Sequence, residues 1–208
     1  GESSSAIAAM AEAPSPIAMS RIEPLTEAHF SGARMIENDF LGARKRACGC
    51  ISYALCPASP SEFASKYNGD ADKMSSSAVA VRDSDGVVIG YVQMTMHGAS
   101  RGLFEQCLHR TRPGEAYIDM MSVSSEARGQ GIGTRLLEWC AETARARGAT
   151  VLSLGVVKGN PAQRLYERAG FVVVPEHGGP CIDLVTFCLF GLPHGQCGAF
   201  LMEKPLDG

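Results

Sequence analysis

Between residues 116 and 171 the hydrophobic pattern changes period repeatedly, and each change marks an element. Ala116-Tyr117-Ile118-Asp119-Met120-Met121-Ser122-Val123 is a mainly apolar run of alternating character and predicts a strand. Glycines at 129, 131 and 133 break it. From Ile132 the period becomes helical: Ile132, Leu136, Leu137, Cys140, Ala141 and Ala144 share one face of a helix running to Arg147, and Gly148 ends it. Thr150–Val157 is apolar almost throughout and predicts a buried strand. A short helix carrying Leu165-Tyr166-Glu167 follows, closed by Gly170-Phe171.

The flanks are less sharply patterned. Ile17–Pro24 can form a first strand, and Thr26 offers an N-cap for a helix to about Asp39. Residues 41–75 read as irregular, with a short helix over Pro60–Tyr67. Ala78–Val81 and Val87–Met96 flank Asp83-Ser84-Asp85-Gly86, a hairpin signal. Residues 97–115 make a long link, helical over Leu103–His109. Ile182–Phe190 and Phe200–Lys204 read as closing strands. No internal repeat is present.

Composition narrows the picture. The 208 residues suit a single domain over 16–208 with a sizeable core, preceded by a small, polar, Pro-containing tail over 1–15 that should be disordered. Position 1 is not Met, so the tail reads as an expression remnant or the end of a removed targeting segment. A net charge of −3 argues against nucleic acid or a membrane surface as the main partner. No apolar run approaches the roughly 20 residues of a membrane span. A cytoplasmic protein is expected, with organellar targeting left open. The eight Cys need not pair in a chain with a real core; Cys140 and Cys188 read as buried small hydrophobes.

The glycine-rich loop is where chemistry enters. A loop opening a long helix points unpaired N–H groups at one spot, with the positive end of the helix dipole behind them. Gly129, Gly131 and Gly133 remove side chains that would hold a ligand away. A pyrophosphate cradle follows as an expectation. The mononucleotide loop needs Gly-Lys-Ser/Thr, and no Lys follows these glycines. The dinucleotide fingerprint needs a last glycine where Thr134 stands. The spacing that fits is Arg-x-x-Gly-x-Gly over Arg128, Gly131 and Gly133, which resembles the acyl-CoA loop of the GCN5-related N-acetyltransferases (GNAT). Strand, Asn160, short helix with Leu165-Tyr166-Glu167, then Gly170-Phe171 looks like the second half of the same fold, in the same order.

The resemblance is specific over 116–173 and loose elsewhere. It implies a GNAT fold of the α/β (α+β) class: a central mixed, mostly antiparallel sheet of about six to seven strands flanked by helices. It also implies an acetyl-CoA-dependent N-acetyltransferase acting on a primary amine of a small molecule, peptide or protein. The alternative is the same fold kept as an inactive acyl-CoA-binding sensor or scaffold; a homodimer is an open partnership. By resemblance an offset in the fourth strand exposes the backbone of Met121, Ser122 and Val123 to the pantetheine arm. The diphosphate would lie on the amides of Gly129, Gln130, Gly131, Ile132, Gly133 and Thr134, assisted by Arg128. Asn160, with Ala162 beside it, would hold the pantetheine amide, and Tyr166 would protonate the leaving thiolate. The commoner spacing puts Tyr seven residues after Asn and here it is six. Tyr166 also shares a helix face with Ala162, Leu165 and Ala169, so a core role stays open.

For the base, alternation places Tyr117, Asp119, Met121 and Val123 on one face. Asp119 is costly to bury without purpose or partner and is the candidate, acting through water. Its other reading is a structural carboxylate, with Glu115 as the fallback base. Some relatives use Glu on the fifth strand, and the matching place here is about Gly155. His177, Cys181, Cys188, His194 and Cys197 cluster late in the chain, but only His194-x2-Cys197 has zinc-like spacing, and no metal is expected. His97, Arg101, His109, Arg110 and Arg112 make the 97–115 link basic: a solvated loop, or a clamp for an acidic acceptor.

Overall fold

The computed structural model describes residues 19–42, 59–67, 70–101, 106, 109–174 and 198–206. The expected tail over 1–15, the strand over Ile182–Phe190, most of the helix over Leu103–His109, and the late cluster of His177, Cys181, Cys188, His194 and Cys197 lie outside them.

Seven strands form one mixed sheet: β1 (Ser20–Pro24), β2 (Ser77–Arg82), β3 (Val88–Met96), β4 (Glu115–Val123), β5 (Val151–Val157), β6 (Val172–Val174) and β7 (Ala199–Pro205). Their spatial order is β1-β2-β3-β4-β5-β7-β6. Every neighbouring pair is antiparallel except β4 and β5, which are parallel. A parallel pair needs a crossover, and the helix α4 (Ile132–Ala146) supplies it.

Helix α4 buries the six residues its period predicts: Ile132, Leu136, Leu137, Cys140, Ala141 and Ala144. They pack with Val92, Met94, Ile118, Leu152 and Leu154 of the sheet in the larger core. Gly148, at φ +79°, ends the helix. Its N–H donates to the Arg145 carbonyl and the next N–H, of Ala149, reaches back to Ala144, the pair of bonds of a glycine-terminated helix. Burial of the Cys140 thiol pushes its pKa up, so it behaves as a small hydrophobe, not a nucleophile.

The opposite face of the sheet carries α1 (Phe30–Gly42), α2 (Pro60–Ser65) and α3 (Ala71–Ser75). Phe63, Tyr67, Tyr91 and Ile36 form a second core there. α1 begins one short 3-10 turn after Thr26, which exchanges hydrogen bonds with His29 across that turn. α3 falls inside the stretch read as irregular. Its start is set by Asp70, whose side chain accepts from the Lys73 N–H, a cap too brief to stand out in a polar run. β6 is likewise a three-residue edge strand without a pattern of its own.

Candidate functional site

The site begins where the parallel pair fails. β4 and β5 are paired only over Glu115–Ile118 against Val151–Leu154. Beyond that point β4 stays with β3 through Met120–Val123, and β5 continues with β7 through Gly155–Val157. The two strands part, and their facing backbone edges look into the gap instead of at each other. A cleft of about 1100 Å³ occupies it.

A bulge in β4 accompanies the parting. Met94 pairs with Ile118 and Gln93 with Met120, which leaves Asp119 as an extra residue. The irregularity therefore sits just ahead of Met121, Ser122 and Val123, where the offset was expected. It also corrects the face assignment. Tyr117, Asp119, Met121 and Val123 do not share a face: Met121 and Val123 pack with Ala116 and Ile118 against the α4 core, while Met120 joins the core under α1. Simple alternation fails because the extra residue shifts every later side chain by one.

On the α4 side the cleft is glycine-lined. Gly129 and Gly131 have φ of +77° and +78°, a backbone that side chains disfavour, and a Cβ built at either would meet no atom within 4 Å. That empty space lies directly over the start of α4, whose first N–H groups have no partner within the helix. The cradle thus fits an anionic group at residues 129–134. Gly133 differs: a Cβ there would stand 2.9 Å from Leu165 Cδ2, so its bareness serves the packing of α4 on α5 (Gln163–Arg168). Of the predicted residues, Met121, Val123, Arg128, Gly129, Gly131, Ile132, Gly133, Thr134, Asn160, Ala162, Tyr166 and Asp119 line the cleft. Ser122 and Gln130 do not: Ser122 is buried, and Gln130 donates to the Glu126 carbonyl. Arg128 Nε donates to the Val123 carbonyl at 3.2 Å, tying the loop to the end of β4.

Asn160 Oδ1 accepts the Ala162 N–H at 3.0 Å and so closes the turn into α5. Tyr166 projects from α5, 8% exposed, edge-on to Phe171. Burial pushes its phenol up to about 12, so at neutral pH it is a protonated donor.

On the α1 side the walls are side chains. Arg101 Nη2 donates to Asp119 Oδ1 at 2.5 Å, and Thr95 Oγ1 donates to Asp119 Oδ2. The side chains of this ion pair are only 5% and 8% exposed. Asp119 is thus an anchored carboxylate. Behind it, His109 Nε2 meets Glu115 Oε1 at 2.7 Å, Ser153 donates to the same carboxylate, and the Arg112 N–H donates to Oε2 at 2.8 Å. Burial alone would raise Glu115; these bonds outweigh it and bring the carboxyl down to about 2. Glu115, so bound, is not among the residues that line the cleft. Tyr117 stands between these pairs, its ring stacked on His109 at 4.4 Å and 5.1 Å from the Arg101 guanidinium.

The basic link is therefore neither solvated nor a clamp for an acidic acceptor at Arg101 and His109, which are spent inside the protein. Arg112 pairs with Glu203, and His97 Nδ1 meets the Thr111 carbonyl. Sequence reasoning missed His109, Asp39, Phe200 and Arg168 as lining residues. No local motif marks them; only the convergence of four separate segments does.

A mixed, mostly antiparallel sheet split beside a glycine-lined helix start defines an α+β protein with an open cleft between two of its strands. The chain belongs to the acetyltransferase (GNAT) family, whose sequence profile matches residues 46–171. It is 37% identical over 68 residues to N-alpha-acetyltransferase 30 of Schizosaccharomyces pombe, a match covering 32% of this chain and 45% of that protein. The chain thus spans less than half the length of that relative. Its fold is like that of a GCN5-related N-acetyltransferase from Kribbella flavida, at TM-score 0.62 and 21% identity, covering 92% of this chain and 100% of the other. The Salmonella typhimurium protein yncA, solved with its cofactor acetyl-CoA, aligns with TM-score 0.62 and 19% identity over 90% of this chain and 94% of that one. Among the described residues no helix is long and apolar enough to cross a membrane.

Proposed function

We propose that this protein is an acetyl-CoA-dependent N-acetyltransferase that moves an acetyl group to the primary amine of a small molecule, peptide or protein. The observation that carries the reading is a cleft passing between two parted strands, with a bare helix start at one mouth and a carboxylate, Asp119, toward the other. A donor with a diphosphate and a long arm suits the first mouth, and an amine suits the second.

Acetyl-CoA, when bound, supplies an activated thioester. The amides of 129–134 hold its diphosphate with Arg128 nearby. The unpaired edge of β4 at Met121–Val123 and the Asn160 side chain align its arm. Tyr166 gives a proton to the departing sulfur. Asp119 receives the amine's proton through water, its position fixed by Arg101 and Thr95. A cytoplasmic setting suits this reading, and so does an organelle reached through a removed N-terminal segment. A homodimer is compatible with it.

The test is thiol release from acetyl-CoA against a panel of primary amines, with binding of acetyl-CoA measured by calorimetry. Amine-dependent CoA release is expected. Tight binding without release for any amine would favour the inactive acyl-CoA sensor, and absence of binding would overturn both.

A further inference from the structure

The charges on α5 are arranged against the helix that carries them. Arg164 stands in its first turn, where the helix dipole disfavours a cation, and no acid accompanies it there. Arg168 follows one turn later, and like charges four residues apart on a helix repel each other. The carboxylate next to Arg168, that of Glu167, accepts instead from Gln163 Nε2 at 2.9 Å. Both arginines are exposed, and among the described residues neither guanidinium has a bonding partner. Arg168 also lines the cleft. The other arginine of that lining, Arg128, has its Nε on the Val123 carbonyl.

The packing of α5 says which mouth Arg168 serves. Leu165 lies three residues before it, on the same side of the helix. Leu165 Cδ2 is 2.9 Å from where a Cβ of Gly133 would stand, so this side of α5 lies against the start of α4. Leu165 packs with the α4 core, on the face of the sheet opposite the second core under α1. Gly133, Thr134, Leu165 and Arg168 line the cleft together. An unoccupied guanidinium thus flanks the glycine-lined mouth. The backbone amides there suit one anionic group. The guanidinium is a separate donor, always charged and shaped to grip a phosphate through two N–H bonds.

We infer that Arg168 forms a second anion subsite at the donor mouth, which reads a phosphate standing apart from the diphosphate: the 3′-phosphate on the ribose of CoA. This deepens the proposed transferase reading and rests on it. A dianion held by Arg168 also offsets the repulsion from Arg164. The subsite takes no part in making or breaking bonds; it selects the donor. Acetyl-dephospho-CoA has the same thioester, arm and diphosphate and lacks only the group that Arg168 reads.

The test is calorimetric binding of acetyl-CoA and of acetyl-dephospho-CoA to the wild type and to Arg168→Gln. The wild type should bind acetyl-CoA roughly tenfold more tightly, the scale of a hydrogen-bonded contact to a charged group. Salt should shrink that preference, because exposed charges are screened. Arg168→Gln should bind both donors with the affinity that the wild type shows for acetyl-dephospho-CoA. Arg168 is exposed and bonded to no described residue, so the substitution leaves the fold intact. Equal wild-type affinity for the two donors, a preference that survives in Arg168→Gln, or a variant weakened equally towards both would overturn the inference and leave the transferase reading standing. A wild-type protein that binds neither donor would overturn both.

Discussion

The two walls of the cleft are built in opposite ways. The α4 wall is contiguous: Arg128 to Thr134 is one loop and one helix start, and what it offers is backbone. The α1 wall presents His109, Tyr117 and Asp119, with Thr95 and Arg101 holding Asp119 from β3 and the link, and what it offers is side chains tied to their neighbours. A backbone cradle suits a group that never varies, such as a diphosphate, because every residue but proline carries an N–H and none of residues 128–134 is proline. A tied side-chain wall can be altered without touching the backbone of the first. The predictions attack one wall at a time.

The largest effect is expected at the contiguous wall. Gly131→Asp places a carboxylate in open space at the helix start, where the proposed function seats the diphosphate, and in a backbone that disfavours a side chain. Acetyl-CoA binding should be lost while the far-ultraviolet circular dichroism stays native. Unchanged affinity by calorimetry would remove the cradle from this loop.

Next is Tyr166→Phe. In the proposed mechanism its hydroxyl acts only once thiolate develops, so turnover should fall by roughly 10²–10⁴ with acetyl-CoA affinity nearly intact. Wild-type turnover in stopped-flow thiol assays would return Tyr166 to the core it shares with Phe171.

Asp119→Asn probes the assembled wall more gently. Asn keeps the size but cannot take up the ammonium proton. The loss in kcat/KM should be greatest at low pH and shrink as pH approaches the acceptor's own pKa, where bulk water suffices. A purely structural Asp119, already bound by Arg101 and Thr95, predicts instead a lower Tm and a pH-independent defect.

The smallest effect on activity, and one read in stability, lies behind that wall. Glu115 is held down at about 2 against an ordinary value of 4.5. A depressed carboxyl stabilises the fold above its unfolded pKa, and that contribution drains away as pH falls from about 4.5 to about 2. Glu115→Gln should therefore lower stability at pH 7, on the order of 3 kcal/mol, with the gap to wild type closing across that window. A gap that stays constant down to pH 2 in thermal melts would deny the Glu115 carboxylate its part in holding His109 and, through it, Tyr117.

What could be read in advance follows the same division. The glycine loop, the six-residue face of α4 and the strand before Asn160 are local patterns, since period, glycine placement and caps act within a few residues. Those features carried the fold class and the donor wall. The link over 97–115 read as a solvated basic stretch, or a clamp, because nothing local shows how the fold turns its charges inward; Arg101 meets Asp119 eighteen residues on, and Arg112 meets Glu203 ninety-one residues on.

The bulge is the sharpest case. Nothing in Ile118-Asp119-Met120 announces an extra residue, because a bulge is a property of pairing with β3, and pairing is settled between strands. Once it forms, Met121 and Val123 turn to the α4 core, Asp119 meets Arg101, and the strand parts from β5 beyond Ile118. By itself the sequence determined the long patterned elements and the glycine-lined start of α4, because those depend on neighbours along the chain. Only the tertiary structure decided where the sheet opens and which side chains line the cleft opposite the glycine loop, because each depends on contacts between strands far apart in the sequence.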